Sequence, residues 1–553
     1  MRGRKHSRST APLAVAASLL VAACTSVPVE DRSPQDAPTI DDPSGREPVP
    51  TIALLTKTAA NDPSRFELSR MIVEAWQEAG IDAELLPVDD AQLNSRTFAG
   101  KDYDAFVVSY GPTPERLDPD NLLSRFQSAN ATDSGTNVSM FVDPEYDEAY
   151  LAQNQAADED TRRAAVAQAQ RILHDEVPVV PLIYPVVGAA YRSDRWEGIE
   201  PAVGYPVFNI WNATAATPLD DRDTLVVGTV FEPPTLNPVL VETLESQIPL
   251  SLIYDTPLAI GPDGETVERA AESVEVSGAE VTLTLRDGMT FSDGTPVTAE
   301  DLAFSVEYLR DNAAPLYAAG LAGVTEVRVS GRAVTIALAA PAAHFADVTL
   351  TQLPILPRHV WASVTDPTTF TNETPVGSGP FVLQQHRIGE SLTFAANPAH
   401  YDAPAVAGLE LTILGSFDAG VSALTSGEID LYDDVQPATQ YESLKDVDGV
   451  TVVETQSHGW RGLHFNTSRA PFDDRAFREA LRSLIPYEDL VDIVMEGAAE
   501  PGGSVIAPSL DQWHDPDVGP FEYDPAAAME TLADAGYAFG PDGTLYYPES
   551  AGS

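Results

Sequence analysis

Twelve residues near the middle of the chain, 212–223 (NATAATPLDDRD), carry no apolar periodicity and are rich in Ala, Thr, Pro and Asp. That is the composition of a linker. The run after them, Thr224-Leu-Val-Val-Gly-Thr229, is short, apolar and bounded by turn residues. It reads as the opening strand of a fold, and the stretch before the linker reads as the close of one. A chain of 553 residues can hold two or three domains, so this break decides how the rest is divided.

Before the linker, Thr51 to Thr56, Ile81 to Val88 and Tyr103 to Val108 read as buried strands. Between the first two, Asn61-Asp62-Pro63 supplies a cap and an N1-type proline, and Leu68, Met71, Ile72, Ala75, Trp76 and Ala79 follow at helical spacing. The strand-helix-strand order implies a mixed α/β layer. Val177 to Tyr184 is apolar but punctuated by prolines, which places it near an edge or in a crossing between domains. After the linker, Val274-Glu-Val276 and Val281 to Leu285 form a hairpin across Ser277-Gly278. Thr298-Ala-Glu-Asp301 caps a helix to about residue 312.

The N-terminus carries Arg2, Arg4, Lys5 and Arg8, then an apolar stretch from Ala11 to Ala23 too short to span a bilayer as a mature helix. It ends in Leu20-Val21-Ala22-Ala23-Cys24, the only cysteine of the sequence. This matches a bacterial lipobox, so residues 1–23 are expected to be a signal peptide and Cys24 to be lipidated. Residues 24–50 are rich in Pro, Asp and Ser and read as a disordered tether of roughly 25–30 Å. Formal net charge is −52, with lysine only at 5, 57, 101 and 445. A nucleic-acid surface needs clustered Lys and Arg, so that class is excluded.

Several stretches resemble the family 5 extracellular solute-binding proteins, the dipeptide, oligopeptide and nickel receptors of ABC importers. The longest is Leu285-Arg-Asp-Gly-Met-Thr-Phe-Ser-Asp-Gly-Thr-Pro-Val-Thr-Ala-Glu-Asp301. Thr235-Leu-Asn-Pro238, Pro375-Val-Gly-Ser-Gly-Pro-Phe381, Asn397-Pro-Ala-His-Tyr401, Leu463-His-Phe-Asn466 and Asp524 to Tyr537 agree with it. In the family, more of the second lobe follows that last stretch. Here the matching pieces precede the linker: Asp102-Tyr-Asp104, Asp118-Pro119, Asp143-Pro-Glu-Tyr-Asp147 and Ala169 to Pro181. The resemblance implies an α/β, two-lobed periplasmic-binding-protein-like fold of three subdomains, circularly permuted. On that reading 51–177 is one half of lobe two and 178–211 returns to lobe one. The linker 212–223 joins the usual termini, 224–460 is lobe one with a subdomain at about 265–372, and 461–547 is the other half of lobe two. A broken tandem is the alternative, but each half would then expose a cut sheet edge.

The resemblance also implies where a ligand sits, between lobes that close on a hinge. Counting back from Asp118-Pro119, Tyr110 falls at the family's aromatic, Gly111 follows it, and Glu115 falls at the acid that pairs with a peptide's ammonium. The plainer reading of Glu115 is a solvated partner of Arg116. Trp460 offers a stacking face and Arg461 a carboxylate fork, or else a core ring and a surface cation. Phe231 and Glu232, after the first strand of lobe one, are further candidates. No Gly-x-Ser-x-Gly, His-Glu-x-x-His or P-loop occurs, and the nine histidines show no metal spacing. The expectation is therefore a non-enzymatic, monomeric receptor without cofactor or metal, anchored outside the cell membrane only by lipid. Its partners would be a peptide or peptide-sized solute and an ABC permease with its ATPase subunits. An oligosaccharide or metal-chelate receptor and a secreted hydrolase are the alternatives.

Overall fold

The computed structural model describes residues 37–113, 116–156, 158–203, 207–241 and 244–549. Its frame is a 12-stranded sheet. In chain order the strands are β1 (Ile52–Lys57), β2 (Ala83–Val88), β3 (Ala105–Tyr110), β4 (Val179–Arg192), β5 (Thr224–Thr229) and β6 (Phe381–Arg387). They continue as β7 (Ser391–Ala396), β8 (Gly408–Ile413), β9 (Leu431–Pro437), β10 (Val450–Gln456), β11 (Trp460–Phe465) and β12 (Ala499–Pro501). Their spatial order is β6-β7-β8-β5-β9-β4-β11-β3-β1-β2, with β10 and β12 also paired to β4.

Strand β4 belongs to both halves of this sheet. Its first residues pair with β11, Val179 opposite His464 and Ile183 opposite Arg461, and then with β12. From Val186 to Arg192 it pairs with β10, and with β9 alongside. One lobe is therefore β1, β2, β3, β11, β12 and the start of β4. It is packed on one face by helix Pro63–Glu78 and on the other by helix Glu159–Glu176. The other lobe holds β5 to β10 and carries a separate four-stranded sheet covered by helix Ala299–Asp311. This is the two-lobed α/β architecture with a third subdomain that the resemblance implies. The capping box Thr298/Asp301 and the Ser277-Gly278 hairpin form as expected.

Of the two placements open to the proline-punctuated strand, edge or crossing, the structure has the crossing: β4 runs on to Arg192 through both lobes, and Pro181 lies opposite Gly462 at a register shift, where the ladder is already interrupted. Two expectations are corrected. The tether is not disordered throughout, because residues 37–49 lie along the hairpin at 538–546. Val49 N–H donates to Leu545 O (2.8 Å), Tyr547 N–H to Glu47 O (2.9 Å) and Arg46 Nη1 to Gly536 O (2.7 Å). Backbone groups left open by that short hairpin are satisfied by this arm. Nor is the linker free coil. It begins inside helix Ile210–Ala215, and Asn212 donates from its side chain to Glu200 O (2.8 Å) and Val207 O (2.7 Å). Cys24 and the signal segment lie outside the described residues.

Candidate functional site

The two lobes are joined at two places, β4 at Tyr184–Val187 and the segment 456–460 between β10 and β11. These crossings are tied together: Gln456 Nε2 donates to Tyr184 O (2.9 Å) and Ser457 N–H to Pro185 O (2.9 Å). Gly459 passes directly over the end of β3. A Cβ there would stand 2.2 Å from Tyr110 O, so no side chain fits.

Below this crossing lies an aromatic cluster that explains two of the candidate residues. Tyr110 stands opposite Trp460 in the β3–β11 ladder with ring centroids 4.5 Å apart. Trp460 is 1% exposed and donates from Nε1 to Val505 O (2.8 Å), so its ring is spent on the core and offers no open stacking face. The Tyr110 hydroxyl lies 3.2 Å from Nε2 of His464, whose Nδ1 is 2.7 Å from Ser139 Oγ. Ser139 gives its single proton to Pro178 O (3.0 Å). It must therefore accept from Nδ1–H, which leaves Nε2 to accept from Tyr110. Burial holds this imidazole neutral, its pKa pulled down to about 3, and raises the Tyr110 phenol above its ordinary value. His458, also buried, donates from Nε2 to Thr113 O (3.0 Å) and is pulled down to about 4.

Gly111 accepts a hydrogen bond on its carbonyl from Arg116 Nη1 (2.6 Å), and the guanidiniums of Arg116 and Arg125 lie 5.6 and 5.4 Å from the Tyr110 ring centroid. Glu115 lies outside the described residues. Arg461 is bonded to Ser64 Oγ and stands 3.8 Å from Asp62, the N-cap of helix Pro63–Glu78. Its fork is thus engaged within its own lobe, and burial lowers its pKa. Glu232 accepts Gly389 N–H on both oxygens (3.0 and 3.1 Å) and lies 3.3 Å from His386 Nε2. It clamps the β6–β7 turn to the end of β5. Phe231 remains 45% exposed beside it. The structure does not gather these candidates into one site: Tyr110 and Trp460 form a core pair, Arg461 serves a helix cap, and Phe231 and Glu232 stand at the carboxyl end of β5.

What the motifs did not mark is a cavity of about 190 Å³. Its walls come mainly from lobe one: Phe208 and Trp211, Ile248 on helix Leu244–Ile253, Ala259, and Tyr317. Leu117, on the loop after β3 of the other lobe, completes it. Trp211 is held in place by Nε1–H to Ile260 O (2.8 Å). Arg269, 4% exposed, reaches the cavity with Nη2 bonded to Asp255 (3.2 Å). A second meeting of the lobes lies nearby. Ala343 N–H donates to Asn154 O (3.1 Å), and His344 Nδ1 is 3.4 Å from Asn154 Nδ2 and 3.7 Å from Asp120. Asp120 is fixed by Tyr150 (2.7 Å) and Gln153 (2.9 Å). No group of three or more His, Cys, Asp or Glu suited to a metal occurs among the described residues. No helix there is long and apolar enough to cross a membrane.

The model of the bacterial extracellular solute-binding proteins, family 5 (middle), matches residues 265–552. Protein XP55 of Streptomyces lividans is 32% identical over 344 residues, 59% of this chain and 61% of that protein. The oligopeptide-binding protein AppA of Bacillus subtilis is 25% identical over 330 residues, 57% of this chain and 59% of its own. The chain thus spans about three fifths of the length of the curated relatives it matches. Among solved structures, NikZ of Campylobacter jejuni in complex with Ni(L-His) is 20% identical with a TM-score of 0.48, covering 59% of this chain and 66% of that one.

Proposed function

Because the chain belongs to the bacterial extracellular solute-binding proteins of family 5, we propose that it is the substrate-binding lipoprotein of an ABC importer. It captures peptides between two closing lobes and hands them to the permease without chemistry on the ligand. The observation that carries this reading is the cavity in lobe one that Leu117 of the other lobe completes, where opening and closing of a hinge would admit and bury a solute. The reading is tested by calorimetry of the purified protein against a defined peptide mixture and a set of oligosaccharides. Saturable binding of peptides that are recovered intact is expected. Binding of sugars alone would move the assignment to a non-peptide solute, and peptide turnover would remove the receptor reading.

Circular permutation remains part of this proposal. Three observations support it. Residues 47–49 pair with 545–547, so the strand after helix Pro525–Asp534 leads to β1. The ends of 212–223 lie side by side near β8, Ala405 N–H bonding Thr214 O (3.2 Å) and Ala407 N–H bonding Asp223 O (2.8 Å). The family match covers 265–552, whereas the motifs that belong later in the family's order lie between 51 and 211. With lipid on Cys24, the tether would then reach the globule at the lobe of β1 to β3, from outside the cell membrane.

A further inference from the structure

We propose that the cavity beneath Leu117 is a specificity pocket for one uncharged apolar group of the ligand, the size of a single ring or a branched aliphatic side chain. This rests on the receptor reading above and adds to it the chemistry of what the site selects. Three features of the cavity point to this. The first is size. An apolar cavity of about 150 Å³ holds one benzene ring, and this one measures about 190 Å³. It therefore has room for a phenyl or isobutyl group.

The second is charge. Arg269 is the ionic side chain in the wall, and its charge is already balanced. Asp255, fully buried, accepts from Nη2 at 3.2 Å, and Asp402 stands 3.9 Å from Nη1. Asp255 in turn accepts the Tyr401 hydroxyl at 3.0 Å and lies 3.2 Å from His400 Nε2. An ammonium or carboxylate entering this apolar space would find no spare counter-charge and would have to be desolvated alone.

The third is the opposite lobe. Leu117, contributed by the opposite lobe, shuts the pocket when the lobes meet, so filling it would favour closure.

The test is a panel of tripeptides, Ala-X-Ala with X as Phe, Leu, Gly, Lys or Asp, titrated into the full protein. The Phe and Leu members are expected to bind roughly ten- to a hundredfold tighter than the others. Two substitutions fill the space, Ala259→Trp in the wall and Ser251→Trp from the exposed rim, where misfolding is less of a danger. Either one, folded, should bring the Phe and Leu affinities down to that of Ala-Gly-Ala measured on the same variant. Equal affinity across the panel overturns the pocket while peptide capture stands, as does an advantage that survives both fillings. If no tripeptide binds, the peptide reading falls and the pocket is read separately with N-acetylphenylalaninamide. A saturable change in tryptophan emission, lost in Trp211→Phe, supports it; no such change overturns it.

Discussion

His464 and His458 set how this protein should respond to acid. Both rings are buried and neutral, with pKa values of about 3 and about 4 against an ordinary value near 6.5. The folded state therefore binds fewer protons than the unfolded chain over that interval. Their contribution is complete above about pH 6.5 and is lost as pH falls toward 4 and below. At about 1.4 kcal/mol per unit, the full shifts correspond to roughly 5 kcal/mol for His464 and roughly 3 kcal/mol for His458. Urea-unfolding midpoints measured from pH 7.5 to 4.5 should fall steadily below 6.5, and more shallowly in His458→Gln; a flat profile would contradict this. These residues also show what can be read from one sequence. The resemblance marked Tyr110, and Trp460 was open between a stacking face and a core ring. That the two are buried together depends on Phe106, Phe126 and His464 arriving from three separate elements. The pocket was invisible for a related reason. Leu117, Trp211, Ala259 and Gln352 are residue types that occur everywhere, and only the fold brings them to one space.

At the scale of elements, strands and caps were legible where the signal is local. Thr51 to Thr56, the Asp62 cap with Pro63, and Thr298 with Asp301 formed within a residue or two of their expected places. Misreadings came where a partner lies far off in sequence. The prolines of Val177 to Tyr184 left edge and crossing both open, and only the pairing of β4 with β11 and β12 decides for the crossing. Residues 37–49 look solvated until the hairpin nearly 500 positions later is placed beside them. Arg46→Ala should cost about 1 kcal/mol, measured by thermal or urea unfolding, through loss of its bonds to the carbonyls of Gly536 (2.7 Å) and Tyr547 (3.3 Å). It should also speed amide exchange at 538–546; unchanged exchange there would show that the arm does not hold the hairpin. At the crossing, Gly459→Ala forces a Cβ to 2.2 Å from Tyr110 O. An expected loss of about 1–3 kcal/mol follows from overpacking, read as a lower urea midpoint, and wild-type stability would mean that the crossing can shift aside.

The whole molecule is two lobes on a shared central strand, and its ligand affinity should depend on contacts that exist only when the lobes touch. His344 makes such contacts with Asn154 and Asp120. His344→Ala removes them without approaching the cavity wall and should weaken peptide binding roughly two- to tenfold, the worth of one or two net hydrogen bonds. Calorimetry would show this as a loss of affinity with stoichiometry preserved. The lobes were legible as motif blocks, and the swapped order proposed for them rests on comparing block order rather than on any single residue. How the blocks join was not legible, since 212–223 looked like loose chain and proved to start in a packed helix. Solute capture between the lobes is tested most directly by a crystal structure of the protein grown with Ala-Phe-Ala. The peptide should lie in contact with both lobes, its phenyl ring under Leu117 and against Trp211. A peptide bound to one lobe alone, or away from the two crossings, would contradict the account.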